Sequence, residues 1–147
     1  MVKRTSLEGN ACPIARSLDA IGDWWSLLII RDAFVGVRRF SAFQRSLGLA
    51  KNILTVRLRA LVERGILATE PAADGSSYRD YVLTPKGRGL FPILVALRQW
   101  SEEFDEHPDE IATMLVDRTH GRPVRKLVLC AEDGTALAPE QTALAQR

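Results

Sequence analysis

Apolar residues recur along this chain at two spacings, and the switch between them divides it. Ile14, Leu18 and Ile21 repeat at helical spacing behind Cys12-Pro13, and Gly22 follows. Proline is favoured in a first helical turn, where its missing N–H has no partner to lose. The first helix therefore opens with Cys12 at its N-cap and stops at Gly22. Asp23 can cap a second helix, Trp24 to Phe34, which is apolar on most sides and so central; Gly36 closes it. A short third helix beginning at Arg39 or Ser41 carries Phe40, Phe43 and Leu47, with Gly48 as the turn. The fourth runs from about Ala50 to Arg64, with Ile53, Leu54, Leu58, Leu61 and Val62 on one face and Gly65 at the C′ position.

Beyond Gly65 the period changes. Residues 66–70 read as a strand, Asp74-Gly75-Ser76-Ser77 as a turn, and Tyr78 to Leu83 as a second, alternating strand. A hairpin directly after a helix-turn-helix is a wing. Thr84-Pro85 then caps one long helix to about Phe104, striped by Leu90, Ile93, Leu94, Leu97 and Trp100, with Pro92 as a kink point. His107-Pro108 breaks the pattern. A short helix over Asp109 to Val116, a strand over Lys126 to Cys130 and a turn at Glu132-Asp133-Gly134 complete the reading. The expected fold is mainly α with a small β wing: a winged helix-turn-helix, a long C-terminal dimerisation helix and a short β-containing tail. The expected domains are 1–106, the winged helix-turn-helix with its long helix, and 107–147, an appendage.

Charge adds direction. Residues 1–99 carry 15 Lys and Arg against 8 Asp and Glu, whereas residues 100–147 carry 5 against 10. From Gly36 to Arg64 seven cations (Arg38, Arg39, Arg45, Lys51, Arg57, Arg59, Arg64) face one acid, Glu63. Such a unit attracts a polyanion. With its leucines turned inward, the fourth helix presents Lys51, Asn52, Thr55, Val56 and Arg59. Asn reads adenine, Lys and Arg read guanine, and Thr or Val meets the thymine methyl. Arg38, Arg39 and Ser41 at the start of the third helix suit a backbone phosphate, as does Arg79 on the wing, with Tyr78 beside it. The plainer alternatives are a solvated amphipathic helix and a solvated hairpin.

The run CP.ARSLDAIG.WW.LLI.RDAF.G.RRFS.FQ.SLGLAKNILT.RLR.LVE.GIL, then the wing, then YVLTPKGR.L.P.L.AL..W, resembles the HxlR-type winged-helix transcriptional regulators, relatives of the MarR group. The resemblance covers Cys12 to about Trp100. It implies a homodimer paired through the N-terminal and long C-terminal helices on a pseudo-palindromic operator. Members act as repressors or activators, and several respond to reactive electrophiles. Many open the recognition helix with Ser-Pro or Ala-Pro, whereas this chain has Ala50-Lys51, which removes a capping hydroxyl and adds a cation.

Two cysteines in a chain whose first residues show no apolar secretory segment point to a reducing cytoplasm. Cys12 at a helix start is a candidate redox-sensing thiol, as in some relatives; the plainer reading is a small, half-buried helix-start residue. The tail resembles a knuckle of longer relatives, Cys-Gly … Cys-x-x-Cys-Gly, with His120-Gly121 and Cys130-x-x-Asp133-Gly134 at those places. Zinc wants four tight nitrogen or sulfur ligands, so the appendage reads as a degenerate zinc ribbon with no metal. Trp24, Trp25, Phe34 and Trp100 read as core and dimer interface, with an effector cavity as the alternative. No cofactor motif, catalytic triad or paired-carboxylate site is apparent, and no apolar run is long enough to span a bilayer.

The expected function is therefore sequence-specific binding of an operator in double-stranded DNA by a homodimer, responsive to an effector or to redox state, and not catalysis. The alternative is a winged-helix protein-interaction module that has lost DNA binding; the cations of the third and fourth helices speak against it.

Overall fold

The computed structural model describes residues 5–105, 107 and 113–146. Among these, the helices are α1 (Pro13–Ile21), α2 (Trp24–Phe34), α3 (Phe40–Leu47), α4 (Lys51–Glu63), α5 (Pro85–Arg88) and α6 (Phe91–Phe104). The strands are β1 (Leu67–Pro71) and β2 (Arg79–Leu83).

The caps follow the local chemistry. Pro13 opens α1 behind Cys12. The Asp23 side chain accepts from the Ser26 N–H at 2.9 Å and so satisfies an orphan donor of α2. Gly48 (φ 64°) ends α3 in the left-handed region and turns the chain into α4, with Ala50 at the N-cap and no side-chain cap. The antiparallel strands pair Leu67 with Leu83 and Pro71 with Arg79. The segment before α3 joins them, because the Tyr81 N–H donates to the Arg38 carbonyl at 2.8 Å.

Leu54, Leu58 and Leu61 of α4 are fully buried with Ile29, Ile30, Phe43, Ile66 and Leu67. Tyr81 meets Phe43 edge-on, with centroids 6.5 Å apart. Burying each such leucine contributes about 1.5–3 kcal/mol, so the α4 stripe locks the helix in one rotation. Ile53, expected on that face, is 40% exposed. It lies about 100° round the helix from Leu54, off the i, i+4, i+7 line that the leucines define.

The expected single helix from Pro85 to Phe104 is two. α5 stops at Arg88, and α6 starts at Phe91 with Pro92 second in its first turn. A proline there lacks an N–H and its ring excludes the carbonyl four residues back, that of Arg88. The break beside Gly89 is the cheap solution.

Contacts divide the chain into two units, one ending at Leu94 and the other starting at Val95, a boundary inside α6. In the second unit, Gln99 holds an extended segment: its side-chain amide donates to the Arg125 carbonyl and its oxygen accepts from the Leu127 N–H. The expected strand over Lys126 to Cys130 is not a ladder; isolated bridges join Val116 to Pro123 and Cys130 to Ala136. A side-chain amide has taken the N–H that a neighbouring strand would use. The expected turn at Glu132 to Gly134 is present, with Gly134 at φ 87°. Of the expected helix over Asp109 to Val116, residues 109–112 lie outside the described residues, and 113–116 are not helical.

Candidate nucleic-acid interface

The inward leucine stripe leaves Lys51, Asn52, Val56 and Arg59 exposed on one side of α4, with Val56 57% exposed. Thr55 is half-buried, and its hydroxyl donates back to the Lys51 carbonyl at 2.7 Å. Its methyl and the acceptor lone pairs of its hydroxyl remain without a partner from this bond. The Arg59 and Lys51 side chains have no hydrogen-bond or ion-pair partner among the described residues, so both charges are available.

Arg57, counted among the cations of this segment, is turned the other way. Its Nε lies 3.4 Å from the Asp23 carboxylate. Arg64 pairs with Asp19 at 2.6 Å. These cations tie helices together rather than face outward.

The N-terminal end of α3 separates two adjacent arginines. Arg38 and Ser41 are exposed. Arg39 is held: its Nε donates to Asp80 and its guanidinium to Asp74, both at 2.7 Å, and Tyr78 lies over it at 5.5 Å. Asp80 is buried, and Asp74 sits in the wing turn. Arg39 thus clamps the wing to the start of α3. The Ser76 backbone N–H, then its hydroxyl, then Arg39 hold the Asp74 carboxyl down at about 2. The same two aspartates raise the Arg39 pKa above its ordinary value, with Asp74 the larger influence. Sequence reading missed this clamp. Its one signal is an acid just before the Tyr-Val-Leu run of β2, Asp80 within RDYVL. On the wing, Tyr78 is 69% exposed, and Arg79, also exposed, donates to the Thr69 carbonyl at 3.2 Å.

A helix locked by leucines, a polar and cationic outer face, and a wing clamped beside it form the frame of a winged helix-turn-helix. The HxlR-like helix-turn-helix family matches residues 20–109. The chain belongs to the HxlR-like family. An uncharacterised helix-turn-helix transcriptional regulator of Mycobacterium tuberculosis (strain CDC 1551 / Oshkosh) is 37% identical over 82% of this chain and 77% of its own length. The solved structure of PA1607, described as a candidate transcription factor, superposes with a TM-score of 0.91 at 53% identity, covering 97% of this chain and all of that one. The redox regulator HypR in its oxidised form superposes with a TM-score of 0.58 at 31% identity, over 65% of this chain and all of HypR. This HxlR-family chain is a transcriptional regulator of the helix-turn-helix type.

Cys12 of this regulator is exposed, in contrast to a half-buried helix-start residue. Its N–H donates to Asn10 Oδ1 at 2.9 Å, and Arg16 folds back onto the Asn10 and Ala11 carbonyls. Cys130 is also exposed and rests on the Val128 carbonyl. Among the described residues no group of three or more His, Cys, Asp or Glu is placed to hold a metal. His120 Nδ1 is 3.2 Å from Asp117 instead. Asp117 accepts the His120 and Arg122 N–H groups, and Asp133 accepts that of Thr135. Backbone donation, from His120 above all, lowers the Asp117 pKa; the Thr135 hydroxyl and then its N–H lower that of Asp133. No helix among the described residues is long and apolar enough to cross a membrane.

Proposed function

We propose that this regulator binds an operator in double-stranded DNA through the outer face of α4. The observation that carries this is the pairing of three fully buried leucines with exposed Lys51, Asn52, Val56 and Arg59 on one helix. Burial fixes the rotation, and rotation fixes which side chains can enter a major groove. Lys51, Asn52, Thr55, Val56 and Arg59 then meet base edges. Arg38, Ser41 and Arg79 meet the phosphate backbone, and Arg39 sets the wing's position through Asp74 and Asp80.

The reading extends to a cytoplasmic homodimer on a pseudo-palindromic site. Its support is exposed apolar surface: Ile14 on α1, and Ile93, Leu97, Trp100 and Phe104 on α6. So much apolar surface on helix faces calls for a partner. The reading keeps residues 107–147 as a degenerate zinc-ribbon-like appendage without metal; in its described part Asp117 accepts the His120 and Arg122 N–H groups and Asp133 that of Thr135. Gly121 and Gly134 both have positive φ, Gly121 after the 118–120 turn and Gly134 within the 132–134 turn. Cys12, exposed and at a helix start, is the thiol proposed to sense oxidants.

Fluorescence anisotropy on a mixed-sequence duplex tests DNA binding itself. Affinity should fall steeply with salt, with a log–log slope of about 0.9 per phosphate neutralised, and Arg38→Ala should lower that slope by about one. Absence of salt-dependent binding would leave the interaction-module reading in its place.

A further inference from the structure

Most arginines of the first unit are engaged. Arg31 pairs with Asp32, Arg39 with Asp74 and Asp80, Arg57 with Asp23, and Arg64 with Asp19. Arg16 and Arg79 donate to backbone carbonyls. Among the described residues, the guanidinium groups of Arg38, Arg45, Arg59 and Arg88 have no such partner. Arg45 and Arg59 point from separate helices. Arg38 and Arg88 line one cleft of about 330 Å³.

The cleft is built from several elements. Arg38 comes from the segment between α2 and α3, held by the Tyr81 N–H at 2.8 Å. Arg88 ends α5, Glu70 stands on β1, and Tyr81 and Val82 on β2. Phe34 closes one side; its ring is fixed against Phe91, with centroids 4.9 Å apart. Glu70 forms an ion pair with neither arginine, so both guanidinium groups keep their donors for an occupant, while its charge opposes an anion in the same cleft. Two like charges sharing one cleft repel unless an anion lies between them. Guanidinium forks match a carboxylate or phosphate in two-point geometry. The volume is at the low end of small-molecule sites.

We propose that this cleft binds a small organic anion, a carboxylate or phosphate gripped by Arg38 and Arg88, with its flat or apolar body against Phe34. Glu70 selects for an anion that also carries a hydrogen-bond donor. The site has a regulatory consequence that rests on the DNA-binding reading above: an occupant that holds Arg38 withdraws it from the DNA backbone.

The test uses the DNA-free full chain, so its failure is separate from failure of the DNA reading. Arginine Nε–Hε resonances are followed by NMR while benzoate, or inorganic phosphate, is titrated against chloride at constant ionic strength. The proposal expects saturable shifts of the Arg38 and Arg88 signals with at least one probe. Arg88→Gln should weaken that binding about tenfold or more, and Glu70→Gln, which removes the opposing charge, should tighten benzoate. Retained amide dispersion in each variant's spectrum shows that it is folded. No saturable shift up to about 50 mM, or unchanged affinity in Arg88→Gln, overturns the proposal. So does a loss of mixed-duplex affinity in Arg88→Gln when the wild type binds neither probe, because the pair then serves the DNA backbone.

Discussion

Arg38 and Arg39 are neighbours with one side chain type and two different fates. The sequence offers both as phosphate ligands, because composition shows a charge without showing what faces it. Asp80, 41 positions away in the chain, captures Arg39, and only folding brings the two together. The exposed α4 residues were legible for the opposite reason: a leucine repeat within one helix fixes their direction without long-range information. Arg57 and Arg64 fall with Arg39, since Asp23 and Asp19 were visible as acids but not as partners. The clamp gives a pH prediction. Asp74 has its folded pKa depressed to about 2, so the stability it contributes is present above the ordinary carboxylate value, 3.8, and is lost as pH falls toward 2. Carboxyl NMR should give Asp74 a midpoint well below that of an exposed aspartate, and Arg39→Met should move it up. Ser76 is the larger influence on this carboxyl, so a midpoint that Arg39→Met leaves unchanged would show that the clamp does not form.

At the scale of elements, the helices and the wing follow from periodicity and turn chemistry, and the misses have local causes. Pro92 breaks a stripe that remains periodic across the break, so apolar spacing alone could not separate α5 from α6. The Lys126 to Cys130 segment has strand composition, but a β-ladder needs a neighbour, and Gln99 supplies a side chain instead. The join of the wing to α5 depends on close approach. A Cβ on Gly87 would stand 2.2 Å from the Ile66 carbonyl oxygen, and that backbone is fixed by the Thr84 N–H at 3.1 Å. Gly87→Ala should therefore cost about 1–3 kcal/mol in chemical denaturation. Gly9→Ala, with nothing within 4 Å of its Cβ, should cost far less. Equal stability of the two variants would show that α5 is free to move away from Ile66.

At the scale of the molecule, the charge division between residues 1–99 and 100–147 and the exposed apolar helix faces underlie the two partners proposed, a polyanion and a second copy. Light scattering at micromolar concentration should give about twice the 16.3 kDa chain mass. Leu97→Glu with Trp100→Glu should return it to that of one chain while the helical circular dichroism persists. A wild-type monomer that still binds its operator tightly would contradict the dimer. The central claim, that the outer face of α4 reads DNA sequence, is tested most directly by recovering bound sites from a randomised duplex pool and comparing wild type with Asn52→Ala on the selected site and its single-base variants. The account predicts a loss of about 1–3 kcal/mol confined to particular base pairs, with mixed-sequence affinity unchanged. Equal affinity of the two proteins for the selected site and for every variant would contradict it.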